Sequence, residues 1–221
     1  MVFNMMKKLE TIEVSGDVAI QELNRLRKDW PTTHLFPFII GSNEDLEQLL
    51  DMIEPPEDNG DSIIQEAMAF DVAGWLKEHA PERKATWPKK TLPPSTGILS
   101  VKDVLTQQLK PRMHIGLVEV TTDWHLFARL GYGGWNDCPP PHVQVAVHKY
   151  WDEKYKTSPV YVSGDTVELL VRSPAVEKEC ALTLAAEQYA YCYDIVEQGV
   201  GSVGKLASGL LSSKYWYFWW D

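Results

Sequence analysis

Six consecutive aromatic residues, Tyr215-Trp216-Tyr217-Phe218-Trp219-Trp220, constrain this chain more than any other stretch. Side chains alternate along a strand, so Trp216, Phe218 and Trp220 would share one face and Tyr217 and Trp219 the other. With aromatic residues on both faces, the strand is expected to be buried on both sides. That requires a sheet covered above and below. Asp221 follows, so carboxylate charge, from side chain and chain end, is expected at the C-terminal end of the strand. That end is where open α/β sheets bind ligands.

The rest of the sequence supplies such a sheet. Leu35–Gly41 reads as a strand, with Pro37 suggesting an edge position or a bulge. Ser42 and Asp45 form a capping pair for a helix carrying Leu46, Leu49, Leu50 and Ile53. Val18–Lys28 and Ile63–His79 keep the helical period. Pro81–Gly97, with four prolines and three lysines, reads as a linker. Beyond it, His114–Val120 reads as a strand, Trp124–Leu130 as a short helix and His142–Lys156 as a long one. Val160–Ser163 and Val167–Val171 are expected as strands joined at Gly164-Asp165. Ser173-Pro174 would open a helix running to about Tyr193. Ser202–Leu211 closes the set of helices. Strands alternating with helices define an α/β class. The expected architecture is a mixed β-sheet with helices on both faces and an N-terminal α/β lobe packed on it. The expected organisation is one domain over 1–221: a lobe to about residue 80, the linker 81–97 and a core 98–221.

Charge and cysteine content exclude several functions. The net charge of -10 leaves no cationic footprint for a nucleic-acid backbone. Three cysteines, Cys138, Cys180 and Cys192, fit no zinc spacing, and Met1–Leu9 has no apolar leader core. With no stretch of membrane-spanning length, a cytoplasmic protein with reduced thiols is expected. No cofactor and no metal is expected, and the oligomeric state is open.

Four constellations carry chemistry or mimic it. Gly199–Lys205 satisfies two glycine-rich phosphate patterns, but Leu206 stands where Ser or Thr would hold Mg²⁺, and helical periodicity precedes it where a strand is required. It reads as a helix–helix connection with Ser202 as N-cap. Cys138 lies just before a helix, where a thiolate is stabilised, and His125, His142 or His148 could serve as its base. Gly133-Gly134-Trp135-Asn136-Asp137-Cys138 combines paired glycines with turn-forming side chains. It either seats Trp135 and starts a helix or presents Trp135 for recognition. Glu187, Tyr191 and Asp194 would share a helical face, followed by Glu197 and Gln198. They form either an oxygen-rich site or a solvated face.

Gly133–Pro139, Tyr150-Trp151, Glu187–Cys192, Asp194–Gly199 and Trp216–Asp221 together resemble domain-of-unknown-function family 4253, a mainly bacterial family. The resemblance is strongest over 113–221. It extends more weakly to 35–80 through Phe38-Ile39-Ile40-Gly41 and Trp75-Leu76. It implies that the C-terminal half is a unit, and it implies no activity. The family pattern has Pro where Tyr193 stands and Asp where Glu197 stands, and Tyr193 would let a helix run on where Pro would stop it.

The function expected from these residues is non-catalytic binding of a protein partner through the Gly133–Cys138 loop. By analogy with small acidic bacterial proteins, that role could be immunity-like. The binding residues would be Gly133, Gly134, Trp135, Asn136, Asp137, Cys138, Glu187, Tyr191, Asp194, Gln198 and Asp221. The alternatives are a cysteine-dependent hydrolase or transferase using Cys138 with His125 or His142, and nucleotide binding at Gly199–Lys205.

Overall fold

The computed structural model describes residues 9–221. The reading of Met1–Leu9 as no leader lies, up to residue 8, outside the described residues. Six strands form one mixed open sheet: β1 (Glu10–Ser15), β2 (Leu35–Gly41), β3 (Arg112–Glu119), β4 (Thr157–Val162), β5 (Thr166–Val171) and β6 (Tyr215–Trp219). Their order is β1-β3-β2-β4-β5-β6. Among the described residues only β2 and β4 are parallel neighbours, meeting at Ile39 and Tyr161. They join two antiparallel halves, β1-β3-β2 and β4-β5-β6.

Strand alternation divides the core in two. Phe36, Phe38 and Ile40 of β2 face a large cluster that also takes in Val167 and Leu169 of β5 and Trp216 and Phe218 of β6. Ile39 faces a smaller cluster with Ile115, Tyr161 and two residues of helix α1 (Ala19–Thr33), Ala19 and Leu23. Helices therefore cover both faces, unequally. On the larger side lie α2 (Asn43–Met52), α3 (Asp61–Ala69), α5 (Leu126–Leu130), α6 (Pro141–Tyr155), α7 (Lys178–Tyr191) and α8 (Val203–Leu210), each contributing buried residues to that cluster. Trp151 of α6 is its hub, stacked on Phe218 at 5.4 Å and set edge-on to Tyr191 and Trp216 at 5.0 and 5.5 Å. Each such pair adds about 1 kcal/mol beyond area burial. No helix among the described residues is long and apolar enough to cross a membrane.

Several sequence expectations are corrected. The N-terminal lobe is not packed on the sheet but woven into it, and β1 falls in a stretch where no strand was expected. Its residues are almost all exposed, and the one alternating apolar pair, Ile12 and Val14, is too short a run to mark a strand. Pro37 stands on an interior strand; the bulge after Ile39 and the sparse β2–β4 pairing are the irregularities its missing N–H fits. The β6 strand is an edge, not a doubly buried strand: Trp216 and Phe218 are buried, while Tyr217 is 37% exposed.

The helix expected over Ile63–His79 is two, α3 and α4 (Val72–Glu78). Phe70 turns to extended backbone, and the Asp71 side chain caps α4 by accepting from the Gly74 N–H at 3.0 Å. Helix α7 begins at Lys178, not at Ser173-Pro174; Ser173 N–H instead ties the chain to the Tyr155 carbonyl of α6. It ends at Tyr191 although no Pro stops it, since Cys192 leaves helical geometry (φ -152, ψ 88).

The expected linker is a fastened strap. Leu92 N–H bonds to Ser208 Oγ at 2.9 Å and Ser95 N–H to Ser213 Oγ at 2.7 Å. Further on, Leu99 and Ser100 N–H groups donate to the carboxylate of Glu168 at 2.8 and 2.7 Å. Glu168 is fully buried on β5, and burial raises its pKa. Gly204 makes room for the strap, because a Cβ there would collide with the Thr86 carbonyl.

Candidate functional site

The Gly133–Cys138 loop is closed by its own backbone. Gly133 and Gly134 have φ of 116° and 88°, and Asn136 has φ of 44°. These left-handed values are why glycine and asparagine stand there. Gly134 N–H reaches the Cys138 and Pro139 carbonyls at 3.2 Å each, and Cys138 N–H bonds to Trp135 O at 2.9 Å. Trp135 is half-buried, its ring edge-on to the buried Tyr132 at 4.7 Å. A shallow groove of about 330 Å³ runs along the loop, lined by Glu54, Ile63, Gly133, Gly134, Trp135 and Pro141 among others.

The outer side of the loop meets the end of β6. Asn136 Nδ2 donates to the main-chain oxygen of Asp221 at 2.6 Å. Asp194 opens the π-helical turn Ile195–Val200 and accepts the Asp221 N–H at 3.2 Å. Gln198 Nε2 donates to both Asp194 Oδ1 and Asp221 Oδ2, at 3.0 and 3.1 Å. The Tyr193 hydroxyl donates to Asp137, which raises the Tyr193 pKa to about 12, and Tyr189 donates to Glu197 at 3.2 Å. Five expected residues, Asn136, Asp137, Asp194, Gln198 and Asp221, thus converge on one rim. Among the described residues, Asp137, Glu197 and Asp221 are in no ion pair. Neutral donors hold the carboxylates in place and leave their charge uncompensated.

The other expected residues lie elsewhere. Glu187 points away from the rim and accepts from Tyr150 hydroxyl at 2.8 Å, Trp151 Nε1 at 3.1 Å and Lys154 Nζ at 3.2 Å. Tyr191 is inside the core. Its hydroxyl donates to Gln144 Oε1, so His148 Nε2 must be the donor in their 3.0 Å contact. Gln144 Nε2 in turn donates to Cys138 Sγ at 3.1 Å. A buried polar chain, His148–Tyr191–Gln144–Cys138, therefore crosses the core where the sequence suggested a shared helical face.

The cysteine-dependent arrangement is not assembled. Cys138 is 3% exposed, and burial raises its pKa far above the ordinary thiol range. Its proximity to the start of α6 does not offset the loss of solvation. His142 sits 3.7 Å from Glu66 and edge-on to Phe70, and His125 packs edge-on to Trp124. Neither contacts the thiol. His148 is stacked on Phe127, and burial drops its pKa to about 3.

Gly199–Lys205 follows the π-helical turn rather than a strand, and Ser202 caps α8 by accepting from the Lys205 N–H at 3.3 Å. The phosphate-loop geometry is therefore absent there. Among the described residues no group of three or more His, Cys, Asp or Glu side chains could hold a metal ion.

A second opening escaped the sequence reading because its walls come from distant segments. It lies at the carboxyl ends of the parallel strands β2 and β4, between Ser42, Asp45, Lys110, Tyr161, Tyr217 and Trp219. Asp45 and Lys110 form an ion pair across it at 2.6 Å.

The fold is a mixed open-sheet α/β protein whose C-terminal half carries an acidic rim. Residues 114–221 match the model of a family described as a domain of unknown function (DUF4253). A search of curated proteins and a search of solved structures each found no match.

Proposed function

We propose that this protein is a non-catalytic binding protein whose recognition surface is the rim formed by Asn136, Asp137, Glu197 and Asp221 together with the adjoining edge of the Gly133–Cys138 loop. Its partner is a protein presenting a basic segment. The supporting observation is that Asp137, Glu197 and Asp221 are each held by neutral donors, with no Lys or Arg in ion-pairing distance among the described residues. Carboxylates held this way need no reorganisation to meet cations, and charge complementarity speeds and directs encounter. The buried, poorly acidic Cys138 thiol also favours binding over covalent chemistry. The groove beside Trp135 sets that ring, Ile63 and Pro141 next to Glu54 and loop backbone, a mixed surface of the kind common at interfaces.

The test compares wild-type protein with the Asp137→Lys/Glu197→Lys variant as baits in cell extract, and then with the purified partner. A partner held by wild type, released by salt and lost by the folded variant supports the reading. Capture unchanged by the double substitution, or no specific capture by wild type, overturns it.

A further inference from the structure

Between α4, the start of the strap, α6 and α7 lies a groove of about 370 Å³. Its floor is apolar: Ala73, Leu76, Ala85, Leu182 and Ala186, with the Tyr150 ring at one end. Leu76 is 4% exposed, so the floor continues into the core. The volume falls in the range of small-molecule pockets.

The rim of this groove reverses the charge of the molecule. In a chain of net charge -10, Lys77, Arg83 and Lys84 line it together. None of the three is in an ion pair among the described residues. Glu78 and Glu82 alternate with them in sequence but do not line the groove. Of the two lining carboxylates, Glu187 already accepts from Tyr150, Trp151 and Lys154. Only Glu179 then faces the three cations without such partners. The lysine-bearing strap thus closes an apolar slot with surplus positive charge at its mouth.

We propose that this groove binds a small amphiphilic carboxylate, its hydrocarbon part on the Leu76–Leu182 floor and its anionic head among Lys77, Arg83 and Lys84. The volume is that of a small-molecule site. A neutral molecule of the same shape would leave the three cations without a counter-charge. The site shares no lining residue with the acidic rim.

Octanoate and 1-octanol are the probes, titrated into the full chain by calorimetry and followed by ¹³C-methyl NMR. Octanoate is expected to bind saturably and to shift the Leu76 and Leu182 methyls, with 1-octanol at least about tenfold weaker. The folded Arg83→Glu/Lys84→Glu variant, altered only at exposed positions, should weaken octanoate at least about tenfold, the size of two partly screened charge contacts. It should leave 1-octanol unchanged. Absence of saturable octanoate binding, methyl shifts elsewhere in the protein, equal affinity for the two probes, or an unaffected variant would each overturn the assignment.

Discussion

Ile39 and Tyr161 are parallel partners, and through them the two antiparallel halves of the sheet become one. Ile39 lies outside residues 114–221 and Tyr161 inside them. The consequence is topological. Strands β3 and β4 both fall within the matched region, apart from the first two residues of β3, yet β2 from the N-terminal part stands between them. The family-matched half therefore lacks a continuous sheet without Leu35–Gly41.

A fragment of residues 114–221 is accordingly expected not to fold cooperatively. Removing β2 exposes the inner edges of β3 and β4 and strips Phe36, Phe38 and Ile40 from the main cluster. Each such side chain contributes about 1.5–3 kcal/mol on burial, a loss comparable with the whole stability of a domain. Near-ultraviolet circular dichroism and urea titration check this; a sharp transition in the fragment would contradict it.

Substitution Gly204→Ala should destabilise the protein by about 1–3 kcal/mol, because the new methyl must displace the strap carbonyl of Thr86. Ser208→Ala should cost less, about 1 kcal/mol, through the lost bond to Leu92 N–H. Proteolysis within 81–97 should accelerate in both. Unchanged cleavage would mean that the strap is not held as described.

Thiol chemistry offers a direct reading of burial. In the native protein only Cys180 should react promptly with an aromatic disulfide reagent, since it is exposed while Cys138 and Cys192 are buried. All three should react in denaturant. Rapid native modification of Cys138, mapped by mass spectrometry, would revive a nucleophilic role for it.

Acid should destabilise the fold through His148. Its folded pKa is about 3 against an ordinary 6.5, so the unfolded chain takes up a proton that the folded protein refuses. The stabilising contribution is complete above pH 6.5 and is lost as pH falls from there towards 3, amounting to several kcal/mol. The His148→Gln variant should be less stable at neutral pH, having lost the stack on Phe127, but its stability should fall less steeply over that window. Parallel stability–pH curves for the two proteins would refute the assignment.

Local signals were legible where the chemistry is local. Ser42 and Asp45 form both bonds of the capping box expected from their spacing. The paired glycines of the loop adopt the positive φ that only glycine takes without cost, and Ser202 caps its helix. Elements were lost where neighbours decide. β1 offers only Ile12 and Val14 as an alternating apolar pair, and the break at Phe70 keeps an apolar period that continues unaltered through both helices.

The sequence by itself determined the α/β class, the capped helices, the tight loop and the aromatic character of the core, because these follow from periodicity, capping and steric rules within a few residues. Only the tertiary structure decided that the aromatic strand is an edge, that the linker is a strap, and that β2 divides the family-matched half. It also sent Glu187 and Tyr191 away from Asp194 and buried Cys138 in the core. Strand order, burial and charge pairing are properties of segments far apart in the chain, and no spacing along it encodes them.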